Sequence, residues 1–285
     1  MNKKIIIKYL FYLKTLFFLL IIFLFTACSK YSLENRISLA QDIAQTASFR
    51  TQEIKTHSFH LKTYTKTQDK TLALKIYIEG DGFAWVNKYT LSSNPTPVNP
   101  VALILASLDS YKNIAYIARP CQYISDESCV KEYWSNKRFS KEVVQSINQA
   151  ITILKKQTHS KKIELFGFSG GAAIALLVAN ERNDILKITT VAGNLNHHLL
   201  HKHHQIPLME DSLNPINIAH KISHIEQIHF IGGKDEVIPS KIAYSFKETS
   251  GNPSNIKIVL VPPASHTKYW ENIFSTPQQL PLRHK

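Results

Sequence analysis

The chain has 285 residues, of which 44% are hydrophobic, and its 34 Lys and Arg against 21 Asp and Glu give a formal net charge of +13. This length suits one large α/β domain and gives no reason to expect two. Basic residues are not gathered in a block with interleaved aromatic residues, which argues against nucleic-acid binding. The excess charge is a general lysine bias, and it would favour anionic surfaces such as lipid headgroups.

The first 27 residues have the pattern of a secretory signal peptide. Three lysines make a basic start, and an unbroken apolar run follows at residues 16–25. This run is shorter than the roughly 20 residues that a membrane-spanning helix needs. Adding residues 9–13 across Lys14 would lengthen it, so an uncleaved membrane anchor stays open as an alternative.

Residues 24–28, Leu-Phe-Thr-Ala-Cys, resemble a bacterial lipobox, with Phe25 where leucine is usual. The resemblance implies that Cys28 is lipidated and becomes the first residue of the mature protein. Ser29 at the next position implies transport to the outer membrane in lipoproteins of the enteric type. We therefore expect an exported protein, anchored by lipid at Cys28 in the cell envelope and facing the periplasm.

Residues 28–55 are polar apart from one weak helical run, and they are expected to form a tether with at most one helix. The main domain is expected at residues 56–285. It opens with polar and apolar alternation in residues 57–66, which predicts an outer antiparallel strand. Strand-like runs then alternate with helical patterns, which predicts an α/β fold with a mostly parallel sheet flanked by helices.

The other predicted strands are residues 72–78, 114–118, 163–166, 185–191, 228–231 and 256–261. The predicted helices are residues 99–108, 140–154, 172–179 and 241–248. Asn99 is expected to cap the first of these helices and Ser140 the second. Residues 194–223 are the one long irregular stretch, and they are expected to form a small cap over the carboxyl edge of the sheet.

Five histidines lie in that stretch, at positions 197, 198, 201, 203 and 204. Imidazole groups bind zinc and copper, and a helix would place His197 and His201 on one face. No carboxylate accompanies them, so a solvated or substrate-facing loop is expected rather than a metal site. No metal and no other cofactor is expected.

The pentapeptide Gly167-Phe168-Ser169-Gly170-Gly171 lies between an apolar strand-like run and an apolar helix-like run. A strand followed by Gly-x-Ser-x-Gly and then by a helix is the nucleophile-elbow arrangement, which exposes a serine hydroxyl on a sharp turn. Eight of the nine glycines in the chain follow strand-like runs. Because ligands bind at the carboxyl ends of strands in open α/β sheets, Ser169 is the candidate nucleophile.

A serine hydroxyl is a poor nucleophile unless a base takes its proton and a carboxylate orients that base. In proteins with a nucleophile elbow the acid and then the histidine follow the serine along the chain. Asp235 follows the predicted strand at 228–231 and is the candidate acid, with Glu236 as the alternative. His266 follows the last predicted strand and is the candidate base.

An oxyanion hole needs two amide donors, and Gly170 directly after the nucleophile supplies one. The second is expected from Asp81 or Gly82, in the loop after the first central strand. The expected substrate-pocket residues are Phe83, Trp85 and Phe168. An exported chain is in a compartment that permits disulfides, so a disulfide between Cys121 and Cys129 is expected, with two free thiols as the alternative.

Several segments together resemble the α/β-hydrolase superfamily and, more narrowly, a largely uncharacterised group of exported Gram-negative α/β-hydrolases. They are Ile78-Glu79-Gly80-Asp81-Gly82, Ala118-Arg119-Pro120-Cys121-Gln122-Tyr123, Arg138-Phe139-Ser140, Gly167-Phe168-Ser169-Gly170-Gly171, Ala192-Gly193-Asn194-Leu195 and Ser212-Leu213-Asn214-Pro215. The resemblance spans about residues 75–270. It implies the α/β-hydrolase fold and serine-hydrolase chemistry, and it implies no substrate.

The expected function is a serine hydrolase of the cell envelope that uses Ser169, Asp235 and His266 on esters of small molecules or lipids, and less readily on amides. Two alternatives stay open. One is a non-catalytic lipoprotein that binds or scaffolds with a hydrolase-like fold, and the other is an acyltransferase with the same three residues. The sequence predicts neither the acyl-chain length nor the oligomeric state.

Overall fold

An eight-stranded sheet built from the apolar runs lies at the centre of the fold. The structure, a computed structural model, describes residues 9, 11–18 and 32–274. Its strands are β1 (Arg50–Lys55), β2 (His60–Thr67), β3 (Leu74–Ile78), β4 (Trp85–Asn87), β5 (Thr90–Leu91), β6 (Asn113–Ile117), β7 (Ile163–Phe168), β8 (Ile185–Val191), β9 (Glu226–Gly232) and β10 (Ile256–Val261). Strand β6 is buried at every position, as expected for a strand that is covered on both faces.

The strand order in the main sheet is β1-β2-β6-β3-β7-β8-β9-β10, and β4 pairs with β5 in a separate hairpin. Strand β2 is antiparallel to both of its neighbours, and the strands from β6 to β10 are parallel. The expected mostly parallel sheet and its outer antiparallel strand are therefore confirmed. The carboxyl ends meet at one edge, where Gly167 lies beside Ile78 and Val261 beside Gly232.

Helices cover both faces of this sheet. They are α1 (Leu33–Thr46), α2 (Val101–Leu108), α3 (Lys141–Thr158), α4 (Gly170–Ala179), α5 (His197–His204) and α6 (Lys241–Thr249). One core cluster joins the buried residues of α3, α4 and α6 to Ile76 and Ile78 of β3. A second cluster joins those of α1 and α2 to Tyr77 of the same strand. Since side chains alternate along a strand, the two clusters lie on opposite faces.

Strand β1 and helix α1 belong to the folded domain, which therefore begins earlier in the chain than the sequence pattern indicated. Strand β1 buries only Ile54, so it lacks the alternation that predicts a strand. Helix α1 begins after Ser32, whose side chain accepts a hydrogen bond from the Asn35 amide. Its Arg36 guanidinium donates to the carbonyl oxygen of Thr96 at 2.6 Å. These contacts attach residues 32–55 to the rest of the domain.

The cap between β8 and β9 is more regular than expected. Helix α5 lies within it and begins after Asn196, whose side-chain oxygen accepts from the Leu199 amide at 3.2 Å. A 3-10 turn follows at Pro215–Ile218. The expected insertion after the strand that follows the elbow is therefore present, and the expectation that residues 194–223 are irregular was wrong.

The two predicted helix caps differ in outcome. Ser140 occupies the N-cap position of α3, as predicted, but its side chain makes no capping hydrogen bond. Helix α2 instead begins at Val101 with Pro100 at the cap position and no side-chain cap. The Asn99 side chain turns away and donates to the carbonyl oxygen of Thr267 at 3.1 Å, so the predicted cap at Asn99 was wrong.

Residues 11–18, within the predicted signal peptide, are helical. Among the described residues, no helix has both the length and the apolar character that crossing a bilayer requires. The rest of the predicted signal peptide, apart from Tyr9, and the predicted lipidation site Cys28 lie outside the described residues.

Candidate active site

The elbow turns sharply between β7 and α4, with Ser169 at its tip. Ser169 has φ 51° and ψ −115°, a conformation that costs roughly 1–3 kcal/mol for a residue other than glycine. The turn also brings α4 against the end of β3. A Cβ at residue 171 would overlap the carbonyl oxygens of Ile78 and Glu79, so the close approach of the main chain requires the last glycine of the pentapeptide.

Three side chains from three loops form one hydrogen-bonded chain at the carboxyl edge of the sheet. Ser169 Oγ lies 3.1 Å from His266 Nε2, and His266 Nδ1 lies 3.0 Å from Asp235 Oδ2. Ser169 follows β7, Asp235 follows β9 and His266 follows β10. The parallel sheet thus brings together the three residues that the sequence singled out as nucleophile, acid and base.

The Asp235 carboxylate is held by its own loop. Its side chain is fully buried, and the amides of Val237 and Ile238 each donate to Oδ1 at 2.9 Å. Oδ2 is left to bind His266. Glu236, the alternative acid, is exposed and lines a pocket instead, so the structure favours Asp235 as the partner of the histidine.

The His266 ring is fixed by neighbours as well as by hydrogen bonds. It packs on the Phe168 ring, with 5.3 Å between the ring centroids. The Trp270 indole donates to the His266 carbonyl oxygen at 2.9 Å. Trp270 is itself buried in the core, so the loop that carries His266 is tied to the body of the domain.

Asp81 places its side chain directly beside the elbow. A Cβ at residue 170 would overlap the Asp81 carboxylate, so a larger residue there would displace that carboxylate. The carboxylate accepts from Arg119 Nη1 at 3.2 Å and from Arg138 Nη1 at 3.0 Å. Arg119 also donates to the Arg138 carbonyl oxygen. Two guanidinium groups therefore balance the negative charge that Asp81 brings close to Ser169.

The loop that carries Asp81 is held by the loop after β6. Gln122 Nε2 donates to the carbonyl oxygen of Gly80 at 2.9 Å, and its Oε1 accepts from the Arg119 amide at 3.0 Å. Gly82 has φ +66° and leaves no room for a Cβ against Pro95 and Gln122. The predicted disulfide between Cys121 and Cys129 is present, so this second loop is itself closed covalently.

Glu79, at the start of the Asp81 loop, is a buried carboxyl group with three donors. It is 1% exposed. Oε1 accepts from the amides of Gly80 at 2.9 Å and Ala102 at 3.3 Å, and Oε2 accepts from the Tyr116 hydroxyl at 3.2 Å. The Ala102 amide belongs to the first turn of α2, so Glu79 supplies the cap that this helix lacks locally. It joins α2, β6 and the Asp81 loop at one point.

Burial raises the pKa of Glu79 from 4.5 to about 7, against the opposing effect of its donors. Between pH 4.5 and 7 the folded chain keeps this proton while the unfolded chain has released it. The free energy of unfolding should therefore fall as the pH rises through that window, by on the order of 3 kcal/mol. Glu79→Gln removes the titration, so the variant should gain about 2–3 kcal/mol relative to wild type between pH 5 and pH 8.

Denaturant unfolding at the two pH values measures this difference. Glu53→Gln, measured alongside, makes the same substitution at an exposed carboxylate on the edge strand β1, where Glu53 pairs with Lys62. A Glu79→Gln difference that does not change with pH would show that Glu79 ionises near its ordinary pKa.

A pocket of about 920 Å³ opens between the β4–β5 hairpin and the cap, within the volume range of small-molecule sites. Its apolar walls are formed by Trp85, Ile206, Pro207, Leu208, Met209 and Val237. Of the three residues expected to line the substrate pocket, Trp85 lines this one. Phe83 instead packs below the Arg36 guanidinium, 5.3 Å from the ring centroid, and Phe168 packs on His266.

Two residues that line the pocket also contact side chains near the elbow. Arg138 lines it and binds the Asp81 carboxylate beside Gly170. Val237 lines it, and its amide holds the Asp235 carboxylate. The pocket therefore adjoins a residue that binds Asp81 and a residue that binds Asp235.

The histidines of α5 make separate contacts and do not converge on a common metal site. His197 is buried, and burial lowers its pKa to about 4, so it is neutral at pH 7. His201 bonds the carbonyl oxygen of Pro207, and His204 donates to that of Val237 at 2.8 Å. Within residues 32–274 and the short helix before them, no three His, Cys, Asp or Glu side chains are grouped as a metal ion would need.

Three residues of this site were not singled out from the sequence: Glu79, Arg119 and Arg138. Each lies in a segment that carried the resemblance to exported α/β-hydrolases, and that was the only indication in the sequence. Their partners are distant along the chain, since Asp81 lies 38 positions from Arg119 and 57 from Arg138. Pairing of this kind leaves no local pattern.

Comparison with protein-family models and with curated protein sequences gives no match. Solved structures do resemble the chain. An esterase from Pyrococcus furiosus has a TM-score of 0.57 at 13% identity, over 80% of this chain and 88% of the esterase. An α/β serine hydrolase homologue from Coxiella burnetii has a TM-score of 0.52 at 17% identity, over 76% of this chain and 89% of the homologue.

The acylaminoacyl peptidase of Pyrococcus horikoshii has a TM-score of 0.56 at 13% identity, over 79% of this chain and 38% of the peptidase. At such identities the likeness concerns the fold. The mostly parallel sheet, the elbow after β7 and the cap after β8 agree with it. The chain therefore has the α/β-hydrolase fold.

Proposed function

We propose that the protein is a serine hydrolase that cleaves carboxylic esters through an acyl-enzyme. The observation that carries this proposal is the continuous contact from Ser169 Oγ through the His266 ring to the buried Asp235 carboxylate. A serine held in a strained elbow, within reach of an oriented imidazole, is the arrangement that activates a hydroxyl for attack.

In the proposed reaction the His266 ring carries its proton on Nδ1, where Asp235 accepts it. Nε2 is then free to take the Ser169 proton as Oγ attacks the ester carbonyl carbon. The amides of Gly170 and of Asp81 or Gly82 donate to the oxyanion of the tetrahedral intermediate. Nε2 returns the proton to the departing alkoxide, and a water molecule then attacks the acyl-enzyme by the same steps in reverse.

The charge of Asp81 bears on this step. A carboxylate beside the oxyanion would oppose the developing negative charge. Its two arginine partners offset that repulsion and hold the loop in place. The amides of Asp81 and Gly82 are thereby presented on a fixed loop, which is what oxyanion stabilisation requires.

Esters are proposed as substrates because solved structures of similar fold include an esterase, although an acylaminoacyl peptidase is also among them. The proposed location is the cell envelope, with a lipid anchor at Cys28 after removal of the signal peptide. Both proposals follow from the lipobox-like segment and the export pattern at the start of the chain.

A substrate series tests the proposal. We expect p-nitrophenyl esters from acetyl to dodecanoyl to be cleaved, and the matching p-nitroanilides to be cleaved much more slowly. Ser169→Ala should cleave neither. Equal rates on esters and anilides would redirect the proposal to amide hydrolysis, and a folded protein without activity on the whole series would favour a binding role. Added alcohols would reveal acyl transfer by the formation of new esters.

A further inference from the structure

The β4–β5 hairpin carries aromatic and apolar side chains that are exposed to solvent. Every residue from 85 to 90 is exposed, and the hairpin pairs with no strand of the main sheet. Trp85 is 40% exposed, Val86 55% and Tyr89 85%. A two-stranded hairpin buries little of its own surface, so these side chains add nothing to the core. Exposed apolar groups concentrated in this way mark an interaction site.

The hairpin stands at the mouth of the 920 Å³ pocket. Trp85 and Lys88 line the pocket from the hairpin side. Leu208 on the cap and Val237 on the acid loop line it from the other side, and they are 51% and 48% exposed. Exposed apolar side chains from three separate segments therefore lie at the pocket opening: Trp85, Leu208 and Val237. Val86 and Tyr89 extend the exposed apolar surface of the hairpin beyond the opening. We name the whole set the mouth surface: Trp85, Val86, Lys88, Tyr89, Leu208 and Val237.

The composition of the mouth surface matches a phospholipid surface. Tryptophan and tyrosine favour the boundary between headgroups and acyl chains, because one end of each ring is apolar and the other polar. Lys88 lies beside Tyr89, with Nζ 5.9 Å from the ring centroid, and a lysine at this depth can place its charge among the headgroups. Two exposed carboxylates, Glu210 and Glu236, also line the pocket, so the attraction to anionic lipid comes from the chain as a whole. Its net charge is +13 with the four lysines of the predicted signal peptide and +9 without them.

The position of the mouth surface at the pocket opening favours a bilayer over a protein as the partner that docks there. A protein seated on these residues would close the pocket. A bilayer would instead supply the acyl group that enters it. The pocket walls are mainly apolar and include Arg138 and Val237, which bind Asp81 and Asp235, so an acyl chain drawn from the bilayer would lie beside the loops that carry these two residues.

We propose that the mouth surface docks on a phospholipid bilayer and that the substrate is an acyl ester of that bilayer. The substrate class rests on the proposed hydrolase function. Docking does not depend on it, and the two can be tested apart.

Trp85 provides the test. The chain has three tryptophans, and the other two, Trp134 and Trp270, are buried at 6% and 2% exposure. Brominated phospholipids quench an indole that enters the bilayer. The probe is a vesicle of phosphatidylethanolamine and brominated phosphatidylglycerol, and the protein is the full chain with Ser169→Ala, so that lipid is not consumed. A lipid or peptide anchor at the N-terminus can hold the chain on the vesicle but does not by itself place Trp85 among acyl chains.

We expect strong quenching of the exposed tryptophan emission, loss of that component in Trp85→Phe, and loss of most quenching when Val86→Ser and Tyr89→Ser are added. Tyr244→Ser is the matched control, because Tyr244 is 56% exposed on α6, and it should keep the quenching. Brominated phosphatidylcholine should quench less. Unquenched emission, or equal loss in the Tyr244→Ser control, would overturn the docking proposal. Hydrolysis of p-nitrophenyl acetate by the wild type reports the proposed function separately.

Discussion

Replacing Ser169 by alanine is expected to lower kcat/KM for ester hydrolysis by about 10⁴- to 10⁶-fold. The substitution removes the only atom that His266 Nε2 contacts in the elbow, and with it the nucleophile. Steady-state hydrolysis of a soluble p-nitrophenyl ester measures the loss. His266→Ala should show a loss of similar size, and the double variant should be no worse than either single one, because the two groups act as a unit.

Stability and a distant serine provide the controls. Ser169→Ala should keep the thermal midpoint of the wild type, since alanine occupies the same backbone position with one fewer atom. Ser223→Ala should keep full activity, because Ser223 Oγ bonds only the carbonyl oxygen of His220 at an exposed turn. Substantial activity in Ser169→Ala would place the chemistry at another residue.

Replacing Arg119 by alanine is expected to lower the free energy of unfolding by about 3–5 kcal/mol. Arg119 is 4% exposed and holds both the Asp81 carboxylate and the Arg138 carbonyl oxygen. Removing it leaves a negative charge beside the elbow with one partner fewer. The Asp81 loop would also lose one of its anchors while Arg138 and Gln122 remain. We expect kcat to fall by about 10²-fold, the effect of misplacing a catalytic group by about an ångström.

Urea unfolding and ester hydrolysis measure the two effects of Arg119→Ala. Arg119→Lys should not restore either one, because an ammonium group cannot reproduce the donor geometry of a guanidinium. Arg50→Ala is the control, since Arg50 is exposed on β1, and it should change stability by less than about 0.5 kcal/mol. A mild effect of Arg119→Ala, equal to that of Arg50→Ala, would show that Arg138 alone suffices for Asp81.

The elbow could be predicted from the sequence because its pattern is local. Asp235 and His266 could be predicted because they follow the elbow in a fixed order along the chain. Gly167 and Gly171 are fixed by overlap with main-chain atoms that lie close to the turn. Asp235 and His266 were found by their order after successive strands. The sequence left Asp235 and Glu236 open. In the structure His266 hydrogen-bonds to Asp235, whose carboxylate is held by the amides of Val237 and Ile238, and no sequence pattern shows these contacts.

The elements and contacts that escaped prediction share a physical cause. Strand β1 has a single apolar residue, Ile54, and is otherwise held by main-chain pairing with β2, so it carries no hydrophobic period. Helix α5 is made largely of histidines and buries His197, Leu200 and His201, which no apolar pattern reveals. The cap of α2 comes from Glu79, more than twenty positions away. Each depends on contacts that arise only once the chain is folded.

Labelling with a fluorophosphonate probe, followed by peptide mapping, shows whether Ser169 is an activated nucleophile. Attack by an activated serine oxygen forms a bond to phosphorus and releases fluoride, so only an activated hydroxyl is labelled quickly. The adduct should lie on Ser169, be absent from Ser169→Ala, and form far more slowly in His266→Ala. No adduct on the folded wild-type protein, under conditions that label a known serine hydrolase, or an adduct on another residue, would contradict the account.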